Sequence, residues 1–521
     1  MAPLLVPAEA LRELAEKHDV CTRPLMHEVT DSVGGSTHIV STRCGATLES
    51  KCPPCARRNR ILRMQQCREG WHLDEEPALE PSSALADAER EPSEPDDRRG
   101  RSTKRRQDAP NLPRATRSDR TVGTQFTSPS GETYRPSMFI TFTLPSYGRV
   151  RPDGTPVDPN TYDYRRAALD ALHFPKLVDR VWQNLRRVTG YKVQYFASVE
   201  AQRRLAPHLH AAVRGAVPRE LIRAVAGATY HQVWWPRHDQ PTYADELPQW
   251  TDGAGYVDPR SRAPLPTWDE AMDALDADDQ AKPSHVIRLG EQLDIQGIIA
   301  SEGDADRRVA YLTKYLAKSI AGSYGSSDEL TRRQRVHRRR LHDEVRLLPC
   351  SPRCSNWLRF GIQPDRAQPG MTPGKCPFKG HDADHLGCGG RRVLVSRAWT
   401  GKTLSHHRAD RAEVVRQALE AAGVEAPAAQ RMAADVLRED GHARYYWRFV
   451  DPRTCTVPLY RQVLTRSIAE KLRWRRQYEA AKARASPPTT LPRPPDSQPD
   501  SVGCAPVRGE RSESRSDTTC P

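Results

Sequence analysis

The chain of 521 residues contains no apolar run of about 18 residues or more, and its first residues show no signal-peptide pattern. These two absences exclude a membrane-spanning helix and predict a cytoplasmic protein that has no membrane partner. Aromatic residues make up only 7% of the chain, whereas its 44 prolines predict several units joined by linkers.

The sequence also lacks a complete phosphate-binding loop of the nucleotide-triphosphatase type. Residues 393–403 end in Gly401-Lys402-Thr403 as such a loop does, but Ser396 stands where its first glycine would be. Without that glycine, the backbone amides cannot turn tightly around a phosphate. We therefore interpret the stretch as a strand followed by a basic turn, and we find no helicase domain.

Acidic residues are too few to balance the basic ones. The chain has 66 Asp and Glu residues against 80 Lys and Arg residues, which gives a net charge of +14. This excess favours a polyanionic partner, most simply a nucleic acid. The alternative is a chain that uses arginine mainly for solubility.

Most of the 12 cysteines lie in two clusters, which in a large chain without secretion signals indicates metal binding and not disulfides. The first cluster contains a Cys-Pro-Pro-Cys knuckle, in which two thiolates can bind one ion. The neatest set of four zinc ligands is Cys21, Cys44, Cys52 and Cys55. Cys67 and His38 compete for the fourth place.

The second cluster pairs two cysteines with a later cysteine and histidine. The set that we predict as a second zinc site is Cys350, Cys354, Cys376 and His381. His385 and Cys388 are alternative fourth ligands.

Two histidines and one glutamate form a third candidate metal site. His208 and His210 are two residues apart, so on a strand both imidazoles lie on one face. Glu200 ends the preceding strand-like run, and the loop between them can form a hairpin. One carboxylate and two imidazoles would then face a single divalent ion.

Residues 309–318 read as a helix with an unusual face. Tyr311 and Tyr315 are four residues apart, as are Lys314 and Lys318, so two phenols lie beside two ammonium groups. This face suits chemistry on a phosphate, because a phenolate can attack phosphorus while a metal ion and a lysine stabilise the developing charge.

Together these residues resemble the HUH endonucleases, and within them the rolling-circle replication initiators. Met138-Phe-Ile-Thr-Phe-Thr-Leu144 resembles the family's first strand motif, and it precedes the histidine motif and the tyrosine motif in the initiator order. The details, including the spacing of the first cysteine cluster, resemble the RepSA-like initiators of actinobacterial plasmids and integrative elements.

The resemblance implies a metal-dependent single-strand endonuclease. Glu200, His208 and His210 would hold Mg²⁺ or Mn²⁺, while Tyr315 attacks the origin DNA to give a 5′-phosphotyrosyl link and a free 3′-OH. Tyr311 would carry out the reverse or terminating step, and Lys318 would steady the phosphate. The implied partners are origin DNA, a host helicase and a polymerase, in a bacterial cytoplasm beside the plasmid or nucleoid.

The predicted fold is α+β, because the element order β-α-β-β-α-β-α suits an antiparallel sheet with helices packed on it. The resemblance makes this sheet an HUH-type nuclease domain. The six predicted parts are a zinc module (1–73), a disordered charged linker (74–132), the nuclease domain (133–325), a basic segment with the second Cys/His cluster (326–405), a helical region with candidate DNA-binding helices (406–484) and a disordered tail (485–521).

Apolar periodicity also predicts particular helices. They cover 162–188 with a break near Pro175, 219–235, 409–422, 428–439 and 460–483, and residues 236–283 form an irregular insertion. The pair 409–422 and 428–439 is either a helix-turn-helix or a plain packing unit.

Two other functions remain open at this stage. One is a zinc-stabilised DNA-binding regulator without nuclease activity, in which the histidines and tyrosines are core residues. The other is a conjugative relaxase, which shares the chemistry, although in relaxases the tyrosine motif comes first.

Overall fold

The computed structural model describes most of the chain. The described residues are 7–71, 73, 77, 109–113, 126–127, 129, 131, 133–134, 136–299, 302–314, 330–421, 423, 428–433, 435–451 and 454–485. Most of the predicted linker and almost all of the predicted tail lie outside these residues, as do Tyr315 and Lys318.

Ten helices and fourteen strands occur in the described residues. The helices are α1 (Ala8–Lys17), α2 (Pro53–Trp71), α3 (Tyr164–Thr189), α4 (Arg219–Ala228), α5 (Trp268–Ala277), α6 (Glu302–Lys314), α7 (Arg332–Leu347), α8 (Leu404–Ala421), α9 (Ala428–Arg431) and α10 (Val457–Ala485). The strands are β1 (Leu25–Asp31), β2 (Thr37–Thr42), β3 (Phe126–Thr127), β4 (Thr133–Tyr134), β5 (Pro136–Phe142), β6 (Gln194–Ala201), β7 (Pro207–Arg214), β8 (Tyr230–Val233), β9 (Gln249–Thr251), β10 (Gly255–Val257), β11 (His285–Arg288), β12 (Leu293–Ile299), β13 (Val393–Val395) and β14 (Tyr445–Phe449). Among these helices, none is both long and apolar enough to cross a bilayer.

Five strands form the central sheet in the order β12-β5-β7-β6-β13, and each neighbouring pair is antiparallel. The predicted α+β class with an antiparallel sheet is thereby confirmed. β13 comes from the segment 326–405, so the sheet extends beyond the predicted end of the nuclease domain at residue 325. The domain boundaries stay predictions.

Helix α3 covers one face of this sheet. Its apolar side chains Leu177, Val181 and Leu185 pack with Ile140 of β5 and Leu209 of β7 in the largest hydrophobic core. The burial of each such side chain contributes roughly 1.5–3 kcal/mol to stability.

The opposite face is covered by α6, α2 and Trp399. Phe139 of β5 and Phe196 of β6 pack there against Leu312 of α6 and Trp71 of α2. Since β7 is the central strand and both faces are covered, all of its residues are buried.

Helix α3 corrects the predicted break near Pro175. A proline removes one backbone hydrogen bond and commonly kinks or ends a helix, but α3 continues unbroken from Tyr164 to Thr189. Phe174 and Leu177 on either side are buried in the core, and Gly390 leaves room for the proline ring, since a Cβ there would lie 2.7 Å from Pro175 Cγ. Tertiary packing therefore outweighs the lost hydrogen bond.

Three further predictions differ from the structure. The helix predicted over 219–235 ends at Ala228, because residues 230–233 form β8 and pair with β11. Among the described residues of the region 428–439, only Ala428–Arg431 is helical, and this helix is too short to be the second helix of a helix-turn-helix. The insertion 236–283 contains the β9–β10 hairpin and α5.

The two ends of the described chain form one unit. β14 pairs with β1, which pairs in turn with β2, so a strand from the region predicted as helical completes the amino-terminal sheet. Helix α10 packs on α1, where Leu464 and Ile468 meet Leu11 and Ala15. The cysteine module therefore includes residues from both ends.

Candidate active site and metal centres

The β6–β7 hairpin brings the predicted glutamate and histidines together. Glu200 lies directly across from His208, and Ser198 lies across from His210, so all four side chains point to the sheet face that α6 covers. The Nε2 atoms of His208 and His210 are 2.7 Å apart, and His210 Nε2 is 3.9 Å from a carboxylate oxygen of Glu200. One possible ligand atom from each of the three residues lies within 4.8 Å of the other two.

Two hydroxyl groups orient this cluster. Thr141 Oγ1 lies 2.9 Å from His210 Nδ1, which leaves His210 Nε2 turned toward Glu200. Ser198 Oγ donates a hydrogen bond of 3.1 Å to Glu200 Oε1. Hydrogen bonds of this kind fix the tautomer and orientation of metal-binding side chains.

Burial controls the charges in the cluster. It lowers the pKa of His208 to about 3, with a further contribution from His210, and it lowers the pKa of His210 to about 4. It raises the pKa of Glu200 to about 7, although Ser198, Arg392 and Lys314 each favour the charged carboxylate. Both imidazoles are therefore neutral at pH 7 and keep a lone pair for a ligand, so the residues fit a divalent cation.

Helix α6 carries Tyr311 to the edge of this cluster. Its hydroxyl lies 3.5 Å from His210 Nε2, and its ring packs edge-on against the rings of His210 and Phe139. Tyr311 is 43% exposed, whereas Glu200 and His210 are each 4% exposed. The phenol thus stands between solvent and the buried ligands.

Of the other residues predicted in the motif 309–318, the structure describes only Lys314. Lys314 is the last residue of α6 and is exposed, and its charge acts on Glu200. Tyr315 and Lys318 fall outside the described residues.

Sequence reasoning missed several contributors. Ser198 could have been found, because it is two residues before Glu200 and therefore shares its face. Thr141 lies in the first strand motif, but only the β5–β7 register shows that it faces His210. Arg392, just before β13, is distant in sequence and gave no local signal.

The first cysteine cluster is assembled as predicted. The sulfur atoms of Cys21, Cys44, Cys52 and Cys55 lie within 4.8 Å of one another. The hydrogen bond with Cys21 lowers the pKa of Cys55 to about 5, whereas that of Cys21 is raised. Four converging sulfurs could hold a structural metal such as zinc.

The two competing ligands lie elsewhere. Cys67 is buried beside Trp71 and Trp399 in the core under the central sheet, and His38 is exposed, with Nε2 3.0 Å from Ser36 Oγ.

The second cluster also converges. Ligand atoms of Cys350, Cys354, Cys376 and His381 lie within 4.8 Å of one another. His381 Nδ1 lies 2.8 Å from the carbonyl oxygen of Val345, which leaves Nε2 facing Cys354 Sγ at 3.6 Å. Neither His385 nor Cys388 is in this group, and Cys388 is buried in the core beneath α3.

The loop-like stretch 393–403 has a structural role. Residues 393–395 form β13 at the edge of the sheet, and Trp399 is fully buried. Lys402 Nζ forms an ion pair of 2.7 Å with Asp410. The expectation of a strand and a basic turn agrees with this arrangement.

Comparison with known families decides the relationship of this chain. The family described as RepSA, replication initiator protein, pSAM2, matches residues 7–470. The chain belongs to the RepSA family of replication initiators. The match includes both cysteine-rich clusters, the central sheet and the first half of α10. No curated protein and no solved structure matches the chain.

Membership of the RepSA family makes this chain a replication initiator. It also accounts for the excess of basic residues, because an initiator binds DNA at an origin.

Proposed function

We propose that this RepSA-family protein nicks one strand of its origin DNA by the attack of a tyrosine on phosphorus. The observation that carries the proposal is the position of a half-exposed phenol, Tyr311, beside the buried cluster of Glu200, His208 and His210. A phenol, two neutral imidazoles and a carboxylate are the groups that metal-assisted phosphoryl transfer needs.

The three buried residues would hold Mg²⁺ or Mn²⁺. Such an ion supplies a positive charge that polarises a phosphoryl oxygen of the scissile group. Thr141 and Ser198 keep the ligand atoms in place, and Lys314 at the end of α6 adds a positive charge near the incoming phosphate.

The nucleophile comes from the helix-face motif that begins at Tyr311. We retain Tyr315 as the first nucleophile and assign the reverse or terminating step to Tyr311. The phenolic oxygen forms a bond to phosphorus and the 3′ oxygen leaves, which gives a 5′-phosphotyrosyl link and a free 3′-OH. Lys318 would steady the phosphate during this step.

The product defines the other partners. A free 3′-OH is a primer for a polymerase, which would begin rolling-circle replication. Since no part of the chain carries a complete nucleotide-binding loop, a host helicase would separate the strands. We propose that the protein acts on its plasmid or mobile element in the bacterial cytoplasm.

Covalent trapping tests the proposal. Labelled single strands that tile the plasmid or element encoding the protein are incubated with full-length protein and Mn²⁺, and an adduct that survives denaturation is sought by gel electrophoresis. We expect an adduct with wild type, and none with His208→Ala or with Tyr311→Phe combined with Tyr315→Phe.

Three further variants sharpen this experiment. The single changes Tyr311→Phe and Tyr315→Phe assign the first nucleophile, since the adduct is lost with that residue alone. Tyr446→Phe is the matched control, because this tyrosine is 55% exposed on β14 and should leave the adduct unchanged. No adduct on any strand would favour a zinc-stabilised DNA-binding regulator without nuclease activity.

A further inference from the structure

A basic cleft lies between the first cysteine cluster and helix α10, away from the Glu200 site. Its cavity volume is about 820 Å³. We call it the arginine cleft, and its basic lining residues are Arg43, Arg58, Arg408, Arg411, Arg466 and Lys471. They come from the amino-terminal module, α8 and α10, so the cleft exists only where these elements meet.

The charges in the arginine cleft are strongly unbalanced. Among the described lining residues, six are basic and two, Asp19 and Glu470, are acidic. Cys21 and Cys55 of the first cysteine cluster also line the cleft, and four thiolates around one Zn²⁺ would add a net charge of only −2, so the basic residues remain in excess. Asp19 already forms ion pairs with Arg57 at 3.3 Å and Arg58 at 3.5 Å. The remaining positive charge therefore favours an anionic ligand with several charges.

The floor of the cleft is apolar. Val40, Leu62 and Val463 line it and are each 5–6% exposed, whereas Arg411 and Arg466 are exposed at its rim. A ligand that fits this arrangement has a negatively charged backbone and flat apolar groups that can reach inward.

Trp474 lines the cleft, and its indole N–H has no hydrogen-bond acceptor among the described residues. Its Nε1 atom is buried. Lys471 Nζ lies 4.7 Å from the centre of the Trp474 ring, and the Tyr478 ring stacks on it at 5.8 Å and 9°. Aromatic rings beside cations are the surfaces on which unpaired bases stack.

We propose that the arginine cleft binds single-stranded DNA, with phosphates along the arginine rim and a base against Trp474. A duplex presents its backbone and its base edges but keeps the flat faces of its bases stacked inside, so it would leave the apolar floor and the Trp474 ring unused. The choice of DNA as the nucleic acid rests on the proposed function. The cleft would bind the strand at a second position, separate from the nicking site, during initiation.

Fluorescence anisotropy of a labelled thymidine 20-mer with full-length protein tests this proposal. The titrations use several NaCl concentrations and no added divalent ion. The triple variant Arg411→Gln, Arg466→Gln, Lys471→Gln should weaken binding at least about tenfold near 0.1 M salt. Its slope of log affinity against log salt should fall by about 2, because each phosphate contact on a single strand contributes about 0.7.

A matched triple variant controls for net charge. Arg186→Gln, Arg187→Gln and Arg223→Gln remove three exposed charges from α3 and α4, outside the cleft, and should change the affinity less than about threefold. The charge-conserving pair Arg411→Lys and Arg466→Lys should keep the salt slope of wild type. Equal zinc contents and thermal unfolding curves establish that these variants are folded.

Trp474→Leu separates stacking from charge. Loss of one stacked base costs about tenfold in affinity but leaves the salt slope unchanged. Photocrosslinking with 5-iododeoxyuridine DNA should label Trp474 or Tyr478.

Two outcomes would overturn the proposal. One is wild-type affinity and salt slope in the cleft triple variant. The other is an equal loss of affinity for a 20-base-pair duplex, which would make the cleft a general backbone surface. Because anisotropy requires no nicking, a failure of the nuclease proposal and a failure of this one are separate results.

Discussion

Two groups of histidines in the central region resemble each other in burial but differ in geometry. The first is the Glu200 cluster with His208 and His210. The second, which we call the α3 histidine cluster, contains Asp170 and His173 of α3, His231 of β8 and His285 of β11. Burial lowers the pKa of His208 and His210 in the first and of His173 and His231 in the second, to about 4 for His210 and for His231.

The difference lies in where the lone pairs point. In the α3 histidine cluster, His285 Nε2 lies 2.7 Å from Asp170 Oδ1, and Tyr147 donates a 2.8 Å hydrogen bond to the same carboxylate. The ring centres of His173 lie 6.2 Å from those of His231 and His285. In the Glu200 cluster, three ligand atoms converge beside an exposed phenol. Convergence and access, and not burial alone, distinguish a candidate active site from a packed polar core.

The largest expected effect is the difference between an alanine substitution in the Glu200 cluster and one in the α3 histidine cluster. His210→Ala should abolish the DNA adduct and, because His210 is as buried as His173, should lower the free energy of unfolding by a similar amount. His173→Ala should retain the adduct but lower the free energy of unfolding by on the order of 2–3 kcal/mol, because it leaves a cavity beneath Trp235.

Adduct assays and urea unfolding of both variants check this contrast. Equal loss of adduct in the two variants would mean that burial, and not ligand geometry, explains the result.

The two cysteine clusters are candidate metal sites whose ligands are mainly thiolates, and they can be compared with the Glu200 cluster. Cys52→Ser should release one zinc ion per chain and unfold the amino-terminal module, because zinc binding contributes ~10 kcal/mol or more to folding in small zinc modules. Elemental analysis and limited proteolysis measure the two effects. Cys67→Ala is the matched control, since this cysteine is buried outside both clusters and should keep the full zinc content.

A smaller effect is expected from the hydroxyl that orients His210. Thr141→Val should lower the rate of adduct formation about 10- to 100-fold without unfolding the sheet, as for other residues that orient a metal ligand. Thr143→Val is the control, because its hydroxyl bonds the Gln292 carbonyl at 2.7 Å, outside the cluster. Single-turnover rates of adduct formation at saturating Mn²⁺ check this prediction. Equal rates in Thr141→Val and Thr143→Val would contradict it.

The smallest predicted effect concerns pH. The folded-state pKa of His231 is about 4, below its ordinary value of 6.5. Between those values the unfolded chain binds a proton that the folded chain does not, so the free energy of unfolding falls as the pH falls. From pH 7 to pH 5, His231 contributes about 1–2 kcal/mol to this decrease.

The variant His231→Gln isolates that contribution. Urea unfolding at pH 7 and pH 5 should show a smaller difference in the variant than in wild type, and any loss of zinc at pH 5 is common to both proteins. An identical difference in the two proteins would refute the assignment.

Short-range patterns predicted that Glu200, His208 and His210 lie together. The period of two along a strand placed His208 and His210 on one face, and the hairpin brought Glu200 opposite them, because both features depend on neighbouring residues. Long-range pairing was not predictable in the same way. β13 and β14 join sheets whose other strands lie far away in sequence, so their own residues carried no sign of a partner.

Helix limits failed where tertiary contacts outweigh local preference. Pro175 was expected to break a helix that continues through it, and residues 230–233, which were predicted as helical, form a strand that pairs with β11. The identity of the nucleophile depends on Tyr315, outside the described residues, and on the orientation of α6 over the sheet.

The pairing of β1 with β14 also has a consequence for the order of folding. Asp31 pairs with Tyr445, so the partner strand of β1 is synthesised about 400 residues later. At 5–20 residues per second, translation covers that interval in about 20 to 80 s. During this time the β1 edge has no β14 to pair with, while the central sheet can form from strands that are already complete. The module that contains β1 would thus leave the ribosome before the central sheet but finish folding after it.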